Sequence, residues 1–354
     1  MSWLRKRLVL LVSIVAVMAL VVAACNGDDD ADDVADDVDD TVTEVVDDDD
    51  DVVEEDDEVV EEDDEVVEED DEVVEEDDEV DDVAENGIGE GQTIEIAYIE
   101  WDEGVAVTYL WIQLLEEQGF EVELTLADAG PIYTDLSEGG TDLFLDAWLP
   151  ATHAEYWEQF GDDIEQIATW YDEGVLALTV PQYVVDEHGV ESLEDLADNA
   201  DLFDSTITGI EPGAGMMGIA AETVMPEYGL DDWTLVEAST PAMLTELETA
   251  IENEEPIVVT LWEPHWAYAA WDLHNLDDPA GAWGEPDSLQ IIARSGFSED
   301  FPEVAEWMAD FNLSAEEIGE LMDYVTVQAE DGEEQEYALQ WLEDGGRDVV
   351  PSLN

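Results

Sequence analysis

Acidic side chains outnumber basic ones by 101 to 5 in this 354-residue chain, and that imbalance limits what it can fold into. Three of the five basic residues are Arg5, Lys6 and Arg7, so beyond the first few residues only Arg294 and Arg347 carry a fixed positive charge. Ion pairs cannot hold such a fold together, and its cohesion must come from apolar burial. The negative field repels nucleic acid and anionic lipid headgroups. In dilute salt the charges also repel one another. At about 1 M salt the Debye length falls to ~3 Å and that repulsion is screened. The composition reads as that of a protein adapted to very saline surroundings.

The first 24 residues are different in kind. Behind the basic triplet, residues 8–24 are apolar and end in Val22-Ala23-Ala24, followed by Cys25, the only cysteine. This is the layout of a secretory signal peptide. Its end resembles a bacterial lipoprotein signal, which implies cleavage before Cys25 and lipidation of its thiol. The other reading is an uncleaved anchor, since the run is about as long as the shortest membrane-spanning helices. Either reading puts the remainder outside the cytoplasm. A single cysteine provides no intramolecular disulfide.

Residues 25–90 are a low-complexity acidic tract in which Val-Val-Glu-Glu-Asp-Asp-Glu recurs every seven residues from Val52. Adjacent valines do not supply the a and d positions of a coiled coil, and the intervening acids repel along any helix. The tract reads as a self-repelling linker.

From residue 91 to 354 short apolar runs alternate with amphipathic segments, which argues for an α/β domain with largely parallel sheets. Strands are expected at 94–99, 120–126, 141–147, 175–183, 206–210, 256–261 and 289–293. Helices are expected at 105–118, from 153, at 216–224, at 241–252 and across 303–343. Two successive α/β blocks and a return segment point to two lobes with a cleft between them, one of about 91–176 plus 290–354, the other about 177–289.

Ligands of open α/β sheets bind beyond the carboxyl ends of the strands. Three of those ends present tryptophan: Trp101, Trp148 and Trp262. A fourth runs into the turn Glu211-Pro212-Gly213-Ala214-Gly215. Indole faces attract methylated cations at roughly 0.5–2 kcal/mol per contact. A glycine-rich turn before a helix offers backbone N–H groups to an anion, and His153 adds a side-chain donor. Cage and donors together describe a zwitterion. Trp111, Trp157, Trp233, Trp271, Trp307 and Trp341 read as packing residues. Four scattered histidines make no metal site, and there is no nucleophile elbow or cofactor motif. A binding protein without catalysis or cofactor is therefore expected. The alternatives are an acidic structural or adhesive surface lipoprotein with a non-functional cleft and, more weakly, an enzyme acting on choline-type compounds.

The segments Ile96–Asp102, Ala147–His153, Ile207–Gly215 and Val258–Trp266 resemble the glycine betaine substrate-binding proteins of ABC osmolyte importers. The resemblance runs from about residue 93 to the C-terminus. It implies a two-lobed periplasmic-binding-protein fold of the type with two crossovers between lobes. It implies a trimethylammonium caged by Trp101, Trp148 and Trp262. The ligand carboxylate would meet the backbone N–H groups of Gly209 and Ile210 and the side chain of His153. Thr208, Glu211 and His265 are expected just behind these contacts. The partners implied are a betaine-type zwitterion and the membrane-bound permease of an ABC transporter, with osmoprotection as the purpose.

Overall fold

The computed structural model describes residues 87–351 and 353. The signal segment, Cys25 and the acidic tract up to residue 86 lie outside the described residues. Strand β1 (Thr93–Tyr98) buries Ile94 and Ile96 on one face while Thr93 and Glu95 face water, the period-2 pattern of a half-buried strand. Helix α1 (Asp102–Glu117) follows, three residues ahead of its expected start. Asp102 and Glu103 occupy its first turn, where negative charge complements the helix dipole. Its inner face carries Ala106, Val107, Leu110, Trp111, Leu114 and Leu115. Gly119 ends it with φ +89°, a conformation suited to glycine.

Strand β2 (Glu121–Leu126), helix α2 (Ala129–Glu138), strand β3 (Leu143–Leu149) and helix α3 (Ala154–Phe160) complete the first block. The 18-residue strand β4 (Ile164–Pro181) comes next. The second block holds β5 (Thr206–Thr208), helix α4 (Gly215–Ile219), β6 (Thr234–Val236), helix α5 (Thr240–Asn253), β7 (Val259–Glu263) and β8 (Leu273–Asn275). Strand β9 (Asp287–Arg294) returns the chain to the first block. Helices α6 (Pro302–Ala309), α7 (Ala315–Met322) and α8 (Glu334–Asp344) then pack there, the last two against α1.

The strands run in the order β2-β1-β3-β9-β4-β7-β5-β6, with β8 also on β4. Up to Gly174 β4 pairs with β9, and from Val175 it pairs with β7. One long strand thus carries the chain out of the first half of the sheet, and the segment entering β9 carries it back.

The sheet is less parallel than expected. Pairings within each block are parallel, but every pairing made by β4 or β9 is antiparallel. The chain crosses between the halves in extended form, without the helix that a parallel crossover requires. The first half of β4 was not expected as a strand, because Ile164–Gly174 mixes polar and apolar residues. Strands β3 and β7 also end two residues later than expected. Pairing of Trp148 with Leu289 and of Trp262 with Leu176 keeps both tryptophans inside their strands. Of the tryptophans read as packing residues, Trp111, Trp233, Trp307 and Trp341 are buried, while Trp157 and Trp271 are half-buried against the core.

Candidate functional site

Trp101 stands at the N-cap position of α1, directly after β1. Trp148 is the sixth residue of β3, and Trp262 the fourth of β7. The first two belong to one half of the sheet and the third to the other, yet all are at most 5% exposed. They line one pocket together with Glu103, Thr152, Leu176, Ile210, Ala214 and Met216.

A carboxylate fixes each indole. Trp262 Nε1 donates to Glu103 Oε2 at 2.8 Å, and Trp148 Nε1 donates to Asp146 Oδ1 at 3.1 Å. Trp101 Nε1 donates to Glu211 Oε1, whose other oxygen accepts from the Thr240 hydroxyl at 3.3 Å. With their N–H groups satisfied, the rings have hydrocarbon and π surface left to offer. An oxygen acceptor on the N–H further polarises the ring toward holding a cation.

Two of these carboxylates are wholly buried. Burial, and then the nearby Asp146 charge, push Glu103 well above the usual carboxyl range. Burial raises Asp146 to about 7, against the opposing bond from Trp148. Room for Asp146 exists because residue 104 is glycine: a Cβ there would lie 2.5 Å from Asp146 Oδ2.

His153 is completely buried. Its Nδ1 accepts from the Trp148 backbone N–H at 3.1 Å, with the Tyr133 hydroxyl also at 3.1 Å. The proton of the neutral ring therefore sits on Nε2, which has no hydrogen-bond partner among the described residues. Burial lowers its pKa to about 3, so it is an uncharged donor at any ordinary pH. Its ring lies 5.5 Å from that of Trp101. Asp287 anchors the loop that carries it, accepting from the backbone N–H groups of Ala151 and Thr152 at 2.6 and 2.9 Å.

The glycine-rich turn departs from expectation at one point. The Gly209 N–H donates to the Val236 carbonyl at 2.9 Å, extending the β5–β6 pairing by one bond, and is not free for a ligand here. The Ile210 N–H is 3.4 Å from Met217 Sδ, a weak acceptor that a carboxylate would outcompete. Thr208 lies behind the turn, its hydroxyl 3.3 Å from Glu246 Oε2. His265 packs edge-on against Trp262 at 5.0 Å and has Nε2 3.3 Å from Asp102 Oδ2. Trp266 Nε1 donates to the other Asp102 oxygen at 2.6 Å. Burial pushes Asp102 up, but His265 and these bonds outweigh it, and its pKa is lowered.

The halves are drawn tightly together around the pocket. The Tyr156 hydroxyl donates across to the Gly213 carbonyl at 2.8 Å. A Cβ at Gly215 would lie 1.8 Å from the Thr152 carbonyl oxygen, so only glycine permits this approach. Glu103, Asp146, Thr152, Leu176 and Met216 were not foreseen at the site. Asp146 left a signal, as the one charge within the apolar run Leu143–Leu149. Glu103 left only its place two residues after Trp101.

Comparison with known proteins fits this geometry. Residues 92–344 match the family model described as the substrate-binding domain of the ABC-type glycine betaine transport system. The chain belongs to this family. Members of it bind a transport substrate and are not enzymes. The curated glycine betaine/carnitine transport binding protein GbuC of Listeria monocytogenes is 39% identical over 140 residues, which are 39% of this chain and 45% of GbuC. Less than half of that relative's length is therefore matched. The crystal structure of lactococcal OpuAC, closed and complexed with glycine betaine, is 31% identical, covering 73% of this chain and 98% of OpuAC with a TM-score of 0.67. The glycine betaine/L-proline-binding protein ProX of Borrelia burgdorferi is 27% identical over 74% of this chain and 97% of its own, with a TM-score of 0.68. The betaine-transport binding domain described here accordingly has the two-lobed periplasmic-binding-protein fold, with its pocket between the lobes.

Proposed function

We propose that the chain captures glycine betaine, or a closely related quaternary-ammonium osmolyte, outside the cytoplasm. A lipid on Cys25 holds it to the membrane, and it delivers the osmolyte to the permease of an ABC transporter in very saline surroundings. The observation that carries this reading is one pocket walled by three buried indoles from both lobes, each with its N–H committed to a carboxylate. Such a cage favours a weakly hydrated methylated cation. It gives little to Na⁺ or K⁺, whose hydration shells the rings cannot replace. The His153 Nε2–H and the Ile210 N–H are the donors for the ligand carboxylate, and both are neutral. That matters in molar salt, where exposed ion pairs contribute least. Ligand contact with both lobes stabilises the closed form to the extent that it binds that form better.

The test is calorimetric titration of the full chain in detergent at high salt with glycine betaine, proline betaine, carnitine, choline and dimethylsulfoniopropionate. Glycine betaine is expected to bind and quench tryptophan fluorescence, and choline, which lacks the carboxylate, to bind more weakly. Absence of heat and of a fluorescence change with all five would refute the proposal. Lipidation is tested separately: mass spectrometry of the purified protein should find an acylated Cys25 as its first residue, and an unmodified Cys25 would overturn that part.

A further inference from the structure

The cage rests on an arrangement that cation capture alone does not require. Glu103 and Asp146 are both wholly buried, and each commits one oxygen to a cage indole. The other oxygen of each, Glu103 Oε1 and Asp146 Oδ2, has no hydrogen-bond partner among the described residues. Each is thus an uncompensated acceptor in a dry interior, an expensive condition for one carboxylate and more so for two neighbours. Gly104 brings the α1 backbone directly against Asp146 Oδ2, so the start of the helix that carries Glu103 is pressed onto the strand that carries Asp146.

One proton on the pair lowers that cost: it turns one orphaned oxygen into a donor and removes one of two like charges. We propose that Glu103 and Asp146 together hold a single proton while the cage is empty, and that a quaternary ammonium entering the cage drives that proton out to solvent. The inference rests on the betaine-binding reading above. Its logic is electrostatic. An empty cage is best served by a pair carrying one negative charge. A cage holding a cation is best served by two, because the ligand then supplies the compensating charge. The neighbouring ionisable groups do not take over this role. Asp102 is occupied by His265 and Trp266, and Glu211 by Trp101 and Thr240. His153 is neutral, the Tyr133 hydroxyl is engaged with its Nδ1, and Asp287 is committed to the Ala151 and Thr152 N–H groups. The direction agrees with the burial-raised titration of both carboxyl groups. Glu103 and Asp146 act through Trp262 and Trp148, so they are positioning residues.

The experiment is titration of glycine betaine into the full chain at constant high salt, from pH 5.5 to 9, in buffers of different ionisation enthalpy. Wild type should release close to one proton per ligand at the acid end and none at the alkaline end. Its Kd should fall by about tenfold per pH unit across the acid part of that range, as release of one proton requires. Because burial alone raises each carboxyl, the double variant Glu103→Gln/Asp146→Asn should abolish the buffer dependence and flatten the pH profile. Infrared difference spectra of wild type, bound minus free, should show loss of a protonated-carboxyl band, a readout that needs no variant to fold. Betaine binding with a flat pH profile and no proton release overturns the proton displacement and leaves the binding function standing. Failure of betaine to bind at any pH overturns both.

Discussion

At the scale of single residues, the site separates what holds the cation from what holds its counterpart. Trp262 belongs to the first group. Trp262→Ala should weaken betaine binding by about tenfold or more, since a desolvated cation–π contact is worth up to ~2 kcal/mol. Trp262→Phe should lose less, because it keeps a ring while leaving Glu103 Oε2 without its donor. Calorimetric Kd values for the two variants check this order. His153 belongs to the second group, and its burial gives a further expectation. Its pKa falls from 6.5 to about 3 on folding, so the unfolded chain takes up a proton first and stability should decline as pH falls from about 6.5 toward 3. Asp146 runs the other way. With its pKa raised from 3.8 to about 7, it contributes stability below about pH 4 and loses it as pH rises toward 7. The two slopes oppose each other in one window. Denaturation midpoints at high salt should show His153→Gln gaining stability on acidification from pH 6.5, and Asp146→Asn losing it more steeply than wild type.

At the scale of elements, closure of the two lobes depends on a backbone contact. The start of α4 meets the loop after β3 with Gly215 against the Thr152 carbonyl, where a methyl group has no room. Gly215→Ala should hold the lobes apart and weaken betaine binding by about 1–3 kcal/mol, the usual cost of overpacking. The thermal midpoint of the ligand-free protein should stay close to wild type, because the added methyl group has room once the lobes open. Titration and thermal unfolding together distinguish lost closure from lost folding. This scale also shows what the sequence made legible. Strand-end tryptophans could be read because strand followed by aromatic residue is a local pattern, and Trp101, Trp148 and Trp262 do converge on one pocket. Long-range pairing could not be read. Nothing in Ile164–Gly174 shows that it lies beside β9, and nothing near Gly209 shows that Val236 takes its N–H. Glu103 was hidden for a related reason: an acid near a helix start is ordinarily solvated, and only the tertiary approach of Trp262 marks this one as buried.

At the scale of the whole molecule, the folded domain must tolerate a charge that its few cations barely offset. Arg294 binds Asp142 and Asp300, and Arg347 makes a two-pronged bond to Glu117. These pairs are partly exposed, where such contacts contribute little. Cohesion instead comes from a continuous apolar core that includes Ile94, Leu110, Trp111, Phe144 and Leu289. The opposing term is long-range repulsion, and salt acts on it directly. Between about 0.1 and 1 M salt the Debye length falls from ~10 to ~3 Å, so neighbouring surface carboxylates largely cease to sense one another. The thermal midpoint should therefore climb steeply over that range of NaCl. An uncharged excluded solute such as sucrose strengthens burial without screening charge and should raise it far less. Betaine affinity should change little over the same range, because the ligand carries no net charge and its cation sits in a closed indole cage. Matched melting curves in NaCl and in sucrose, with Kd measured alongside, decide the matter. If the two solutes stabilise equally, the acidic surface is not what makes the fold depend on salt. If affinity falls in step with rising salt, exposed charges contribute more to capture than the buried cage does.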